Sequence, residues 1–116
     1  MPTANLKTNI RRMGSTSIID IQGEVTGFAE SMLMDAYSEA SANGTKAIIL
    51  NFSELDYLNS SGIGLLVTML IRTQRQKQKL IACGLSEHYV EIFKLTRLDE
   101  AIGIYNTEAE SLAAAG

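Results

Sequence analysis

Apolar and polar positions alternate along residues 5–13. Leu6, Thr8, Ile10 and Arg12 fall on one side, and Lys7, Asn9 and Arg11 on the other, which is the period of a β-strand. Gly14-Ser15 is a turn signal, and Ile18, Ile19 and Ile21 carry residues 17–22 into a second strand, so the two are predicted to form a hairpin. The period then lengthens. Ala29, Met32, Leu33, Ala36, Tyr37 and Ala40 follow the i, i+3, i+4, i+7 spacing of a helix face, with Glu30, Ser31, Ser38 and Glu39 on the wet side. Asn43-Gly44 is a stop, because glycine takes the left-handed cap conformation at little cost. Residues 47–52 are a continuous apolar run with one polar break, as in the buried centre of a sheet.

A long helix is predicted over residues 60–77, burying Ile63, Leu66, Val67 and Leu70. Residues 80–83 form a short strand ended by Gly84. Ser86 is the N-cap of a helix carrying Tyr89, Val90, Ile92, Phe93 and Leu95. Residues 101–105 are the last strand. Thr107 with Glu110 three positions on is a capping box for a final helix through Leu112 and several alanines. The order is β-β-α-β-α-β-α-β-α. Strands that alternate with helices pair in parallel, so the expected class is α/β: one domain over 1–116, with a mixed sheet, an N-terminal hairpin, then mostly parallel strands and about four helices.

Composition narrows the function more than the fold. At 116 residues, 46% hydrophobic and 20% charged, the chain can build a single core and does not read as disordered. A net charge of −3 gives no nucleic-acid footprint, and the one basic cluster, Arg72, Arg75, Lys77 and Lys79, sits where a helix C-terminus favours cations. The single cysteine, Cys83, follows Leu80-Ile81-Ala82 and reads as a buried strand thiol. Residues 1–5 lack the basic and apolar regions of a secretory leader, and no apolar run approaches the ~20 residues of a membrane span, so a cytoplasmic protein that binds neither membrane nor nucleic acid is expected.

Catalytic signatures are missing. A nucleophile elbow needs glycine two residues before and after its serine; around Ser60 those positions hold Leu58 and Gly62, and around Ser61 they hold Asn59 and Ile63. The only histidine, His88, is placed on the first turn of a helix, where a lone His reads as a solvated surface residue, whereas a triad needs His, acid and Ser to converge. Gly62-Ile63-Gly64 matches the start of a dinucleotide fingerprint, but Val67 stands at its third glycine, and there is no Gly-Lys-Ser/Thr of a P-loop. One Cys and one His do not supply a zinc site, and Asp20, Glu24 and Asp56 read as solvated carboxylates. No cofactor and no enzymatic activity are expected.

What remains is the stretch Leu58-Asn59-Ser60-Ser61-Gly62-Ile63-Gly64, followed by Leu65 and Leu66, at the start of the long helix. Free backbone amides and the positive end of a helix dipole make such a junction a place to hold a phosphate. Taken alone, Ser60 there reads as a plain N-cap. The stretch resembles the signature of the STAS domain, and specifically the small bacterial anti-sigma factor antagonists, whose Asp-Ser-Ser-Gly or Asp-Ser-Thr-Gly aligns with Asn59, Ser60, Ser61 and Gly62. A second family mark, Gly-Glu-Leu-Asp, aligns with Gly23, Glu24, Val25 and Thr26. The resemblance implies that Ser60 is a phosphorylation site and that Glu24, Val25, Thr26, Leu58, Asn59, Ser61, Gly62, Ile63 and Gly64 make the partner-binding surface. It implies a partner-switching cycle. The unmodified chain binds an anti-sigma factor that is also a GHKL-type serine kinase, which frees a sigma factor. Phosphorylation ends the binding, and a PP2C-type phosphatase resets it. Asn59 and Thr26 stand where the family usually has Asp, so charge steering toward a basic kinase surface is expected to be weaker. Rival readings are a non-switching STAS scaffold, or a subunit of a regulatory or transport assembly.

Overall fold

In the computed structural model, which describes residues 5–116, the predicted alternation becomes one mixed sheet; Met1 to Ala4, read above for a leader, lie outside the described residues. The strands are β1 (Leu6–Met13), β2 (Thr16–Val25), β3 (Ala47–Leu58), β4 (Lys79–Cys83) and β5 (Gly103–Tyr105). The helices are α1 (Glu30–Ala40), α2 (Ser60–Arg75), α3 (Glu87–Leu95) and α4 (Glu108–Ala115), with short 3-10 turns at Gly27–Ala29 and Leu98–Glu100. The spatial order is β1-β2-β3-β4-β5, with β1 antiparallel to β2 and the other pairs parallel.

A sheet whose parallel strands follow chain order, joined by right-handed crossovers, must carry all three crossover helices on one face. The packing agrees. Leu33 of α1, Leu66 and Met69 of α2 and Phe93 of α3 join Ile19, Ile48, Leu50 and Phe52 in the main core. The opposite face carries a smaller cluster, Ile18, Ile49, Ile81 and Cys83, covered by Leu112, Ala114 and Ala115 of α4. Cys83 is buried there, as its neighbours predicted, and burial pushes its thiol pKa up. The Thr107–Glu110 capping box is formed.

Three expectations need correction. The core face of α2 is Gly62, Leu65, Leu66, Met69 and Thr73, so the helix is rotated from the predicted face and Val67 points outward at 37% exposure. β3 does not stop at Phe52 but runs on to Leu58, because β2 provides a parallel ladder as far as Val25↔Leu58, with register shifts between Asp20 and Gln22 and between Gly23 and Glu24. The last strand is shorter than residues 101–105, since a 3-10 turn that buries Leu98 occupies the approach to it. At α3, Leu95 is exposed and Ser86 holds the N-cap position without a side-chain bond.

Arg11 ties the hairpin to α4. Its guanidinium donates to both Asp20 oxygens at 2.8 Å and to both Glu108 oxygens at 3.1 and 2.5 Å. The bonds to Arg11, more than any other influence, hold both carboxyl groups below their ordinary pKa. Each carboxylate then binds protons less readily folded than unfolded. Its contribution to stability is complete above the ordinary carboxylate range, about pH 4, and is lost as pH falls through the lowered folded value. Melting curves for wild type and Arg11→Gln are expected to differ near neutral pH and to converge as the pH falls below about 4. A constant gap down to low pH would rule out this linkage.

Candidate functional site

The site begins where β2 and β3 end side by side. The pairs Glu24↔Tyr57 and Val25↔Leu58 bring the two sequence motifs together, and the Asn59 amide donates to the Val25 carbonyl at 3.3 Å. β3 passes into α2 without a loop. Asn59 is extended (φ −103, ψ −179) and its Oδ1 accepts the Gly62 amide at 2.8 Å, so the N-cap is Asn59 and Ser60 is the first helical residue. This corrects the reading of Ser60 as a cap. Its hydroxyl has no capping duty, and the residue is exposed, as is Ser61.

The second motif turns directly beside the first. Thr26 caps the 3-10 turn, accepting the Phe28 amide at 3.3 Å, and a Cβ on Gly27 would lie 3.4 Å from the Ser61 Cβ. Asn59 and Thr26 therefore keep an acceptor where Asp is usual and remove only the charge. Asn caps as well as Asp, so neither departure burdens the fold.

The predicted site residues divide by depth. Val25, Leu58 and Gly62 are buried, with Val25 at 0% and Leu58 at 4% exposure, so they support the surface from beneath. Glu24, Thr26, Asn59 and Ile63 are half-buried, and Ser60, Ser61 and Gly64 are open to solvent. Gly62 is not there for flexibility. A Cβ at that position would overlap the Val25 carbonyl and stand 2.8 Å from Leu58 Cδ1, so only glycine lets α2 start this close to β2.

Gly64 is the contrary case. It is exposed within α2, and a Cβ there meets nothing within 4 Å. A helix-interior glycine costs roughly 0.5–1 kcal/mol relative to alanine. Gly64→Ala is accordingly expected to stabilise the chain by about that amount, read as a higher denaturant midpoint at unchanged slope. A lower midpoint would mean that the surface around Gly64 is more crowded than described.

Sequence reasoning missed several exposed apolar side chains on the elements that carry the site. Phe28 is 64% exposed and Tyr57 49%, and Val67 and Ile71 continue outward along α2. For Val67 and Ile71 the signal was present but ambiguous, since α2 is apolar on more than one face and periodicity alone cannot say which face is the core. His88 is exposed on α3, Asp20 is engaged by Arg11 and Asn51, and among the described residues no group of three or more metal-ligating side chains comes together. Among the same residues no helix is long and apolar enough to cross a membrane.

The five-strand mixed sheet with three helices on one face and a capped helix start at its edge defines an α/β domain. The chain belongs to the STAS domain family, whose profile matches residues 7–111. It is 23% identical over 107 residues to an anti-sigma-B factor antagonist of Listeria monocytogenes, covering 91% of this chain and 94% of that one. The crystal structure of an anti-sigma factor antagonist from Mycobacterium paratuberculosis superposes with a TM-score of 0.83 at 19% identity, covering 98% of each chain. The Bacillus cell fate determinant SpoIIAA in its phosphorylated form superposes with a TM-score of 0.73 at 22% identity, covering 95% of this chain and all of that one. At these identities the structural likeness establishes the fold alone.

Proposed function

We propose that this chain is an anti-sigma factor antagonist switched by phosphorylation of Ser60. The observation that carries the reading is an exposed serine at the first position of an Asn59-capped helix, beside the Thr26 turn, in a STAS chain whose curated relatives are anti-sigma-B factor antagonists. The unmodified form binds an anti-sigma factor of the GHKL kinase type and so releases a sigma factor; a PP2C-type phosphatase restores it. The chain is then ligand and substrate rather than catalyst, and acts as one domain in the cytoplasm.

Contact is made by Asn59, Ser60, Ser61, Ile63 and Gly64 together with Glu24 and Thr26, seated on Val25, Leu58 and Gly62. Phe28, Tyr57 and Val67 supply the apolar area that an interface core requires. The open space above Gly64, with no internal reason for a glycine, suits close approach of a partner backbone.

A phosphate at Ser60 stands at the positive end of the α2 dipole, worth about 0.3–1 kcal/mol to the modified chain. The fold therefore survives modification, and the cost falls on the complex. The test is release: with the kinase partner and ATP, wild type is expected to dissociate and Ser60→Ala to stay bound. Equal release of the two would defeat the proposal.

A further inference from the structure

The motif-bearing end of β3 pairs with a strand on one side only among the described residues. β3 pairs with β4 through Asn51↔Cys83, and the ladder ends there, with Gly84 (φ +77) packed against the Ser53 backbone. From Phe52 to Leu58, β3 has β2 beside it and, among the described residues, no strand on its other edge. The Asn59 amide points toward β2, where it meets the Val25 carbonyl. The Leu58 amide points the opposite way, toward the missing strand, and there it donates to the hydroxyl of Tyr89 at 3.0 Å. Tyr89 comes from α3, and its ring packs against the main core.

We propose that Tyr89 is a positioning residue for the Ser60 phosphoacceptor. This rests on the phosphoswitch reading of the site. The Tyr89 hydroxyl takes the place of a β4 carbonyl and fixes the last residue of β3. Leu58 leads directly to the Asn59 cap, and Asn59 sets where α2 begins and how Ser60 is presented. A core-anchored side chain suits this task, because it holds the strand end without covering the surface a partner must reach. Phosphoryl transfer depends on the alignment of acceptor and donor, and small misplacements cost rate more than binding.

Tyr89→Phe keeps the ring and its packing and removes only the acceptor. Two measurements are made on this variant. Amide hydrogen exchange is expected to quicken about tenfold or more at Leu58 and Asn59, with little change at Leu50 or Ile81. With the GHKL-type anti-sigma kinase encoded by the source genome and ATP, kcat for Ser60 phosphorylation is expected to fall about tenfold at nearly unchanged KM. A purely structural role would lower global stability and leave kcat of the folded fraction intact. If wild type is phosphorylated on Ser60 and Tyr89→Phe matches it in kcat and in Leu58 exchange, the assignment of Tyr89 is overturned and the switch stands. If wild type takes up no phosphate on Ser60, the switch and the role of Tyr89 fall together, even with Leu58 exchange altered in the variant.

Discussion

Ser60→Glu is expected to bind the anti-sigma kinase at least tenfold more weakly than wild type, and closer to a hundredfold if the new charge faces a like charge in the complex. One unit-charge repulsion at about 5 Å with an effective dielectric near 20 costs about 3 kcal/mol, and a loss of ~2.7 kcal/mol is a hundredfold in affinity. The exposure of Ser60 lets the charge act on a partner rather than on the fold. Its place at the start of α2 makes a negative charge neutral to favourable for the isolated chain, by about 0.3–1 kcal/mol. The two effects should separate cleanly, with binding collapsing while the melting temperature holds or rises. Ser60→Ala should bind like wild type. A Ser60→Glu chain that binds as tightly as wild type, measured by calorimetry, would remove electrostatic exclusion as the mechanism.

Gly62→Val is expected to destabilise the chain by about 3 kcal/mol or more and to weaken partner binding with it. The first added carbon already overlaps the Val25 carbonyl and crowds Leu58, both buried and with little room to give. Either α2 must lift from β2, breaking the Asn59–Val25 bond and the Asn59 cap, or the end of β2 must shift with the Thr26 turn. Both routes disturb the presentation of Ser60. Gly64→Ala, two residues along the same helix, should move stability the other way, so the pair separates steric need from helix propensity. Denaturant unfolding of both variants checks this. Equal stability of Gly62→Val and wild type would mean that the close approach of α2 to β2 is not required.

The parts of this fold that were legible in the sequence are those decided locally. The hairpin signal, the Thr107–Glu110 box and the apolar run of residues 47–52 each depend on neighbours in the chain, and each forms. The parts that were not legible are set by tertiary partners. Residues 53–57, Ser-Glu-Leu-Asp-Tyr, have the polarity of a loop and become strand because β2 lies alongside. Arg11 meets Glu108 across nearly the whole chain, at a distance in sequence that no pattern encodes. The core face of α2 includes Gly62 and Thr73, which do not register as apolar, while Val67 and Ile71 do and face outward. That mismatch is itself informative, because a helix apolar on a second face has a reason to meet a second protein. At the site, the motif put Ser60 at a strand-to-helix junction, which is where it lies, but the cap belongs to Asn59 and the tight packing to Gly62, facts that depend on where β2 ends.

The central claim is that Ser60 is the residue through which this chain is switched. Phosphosite mapping by mass spectrometry on the protein isolated from its own cells tests it most directly. The account predicts a phosphopeptide modified on Ser60 that disappears in a Ser60→Ala strain. Phosphate carried on Ser61 or Thr26 instead, or a chain that stays unmodified while its anti-sigma kinase is active, would contradict it.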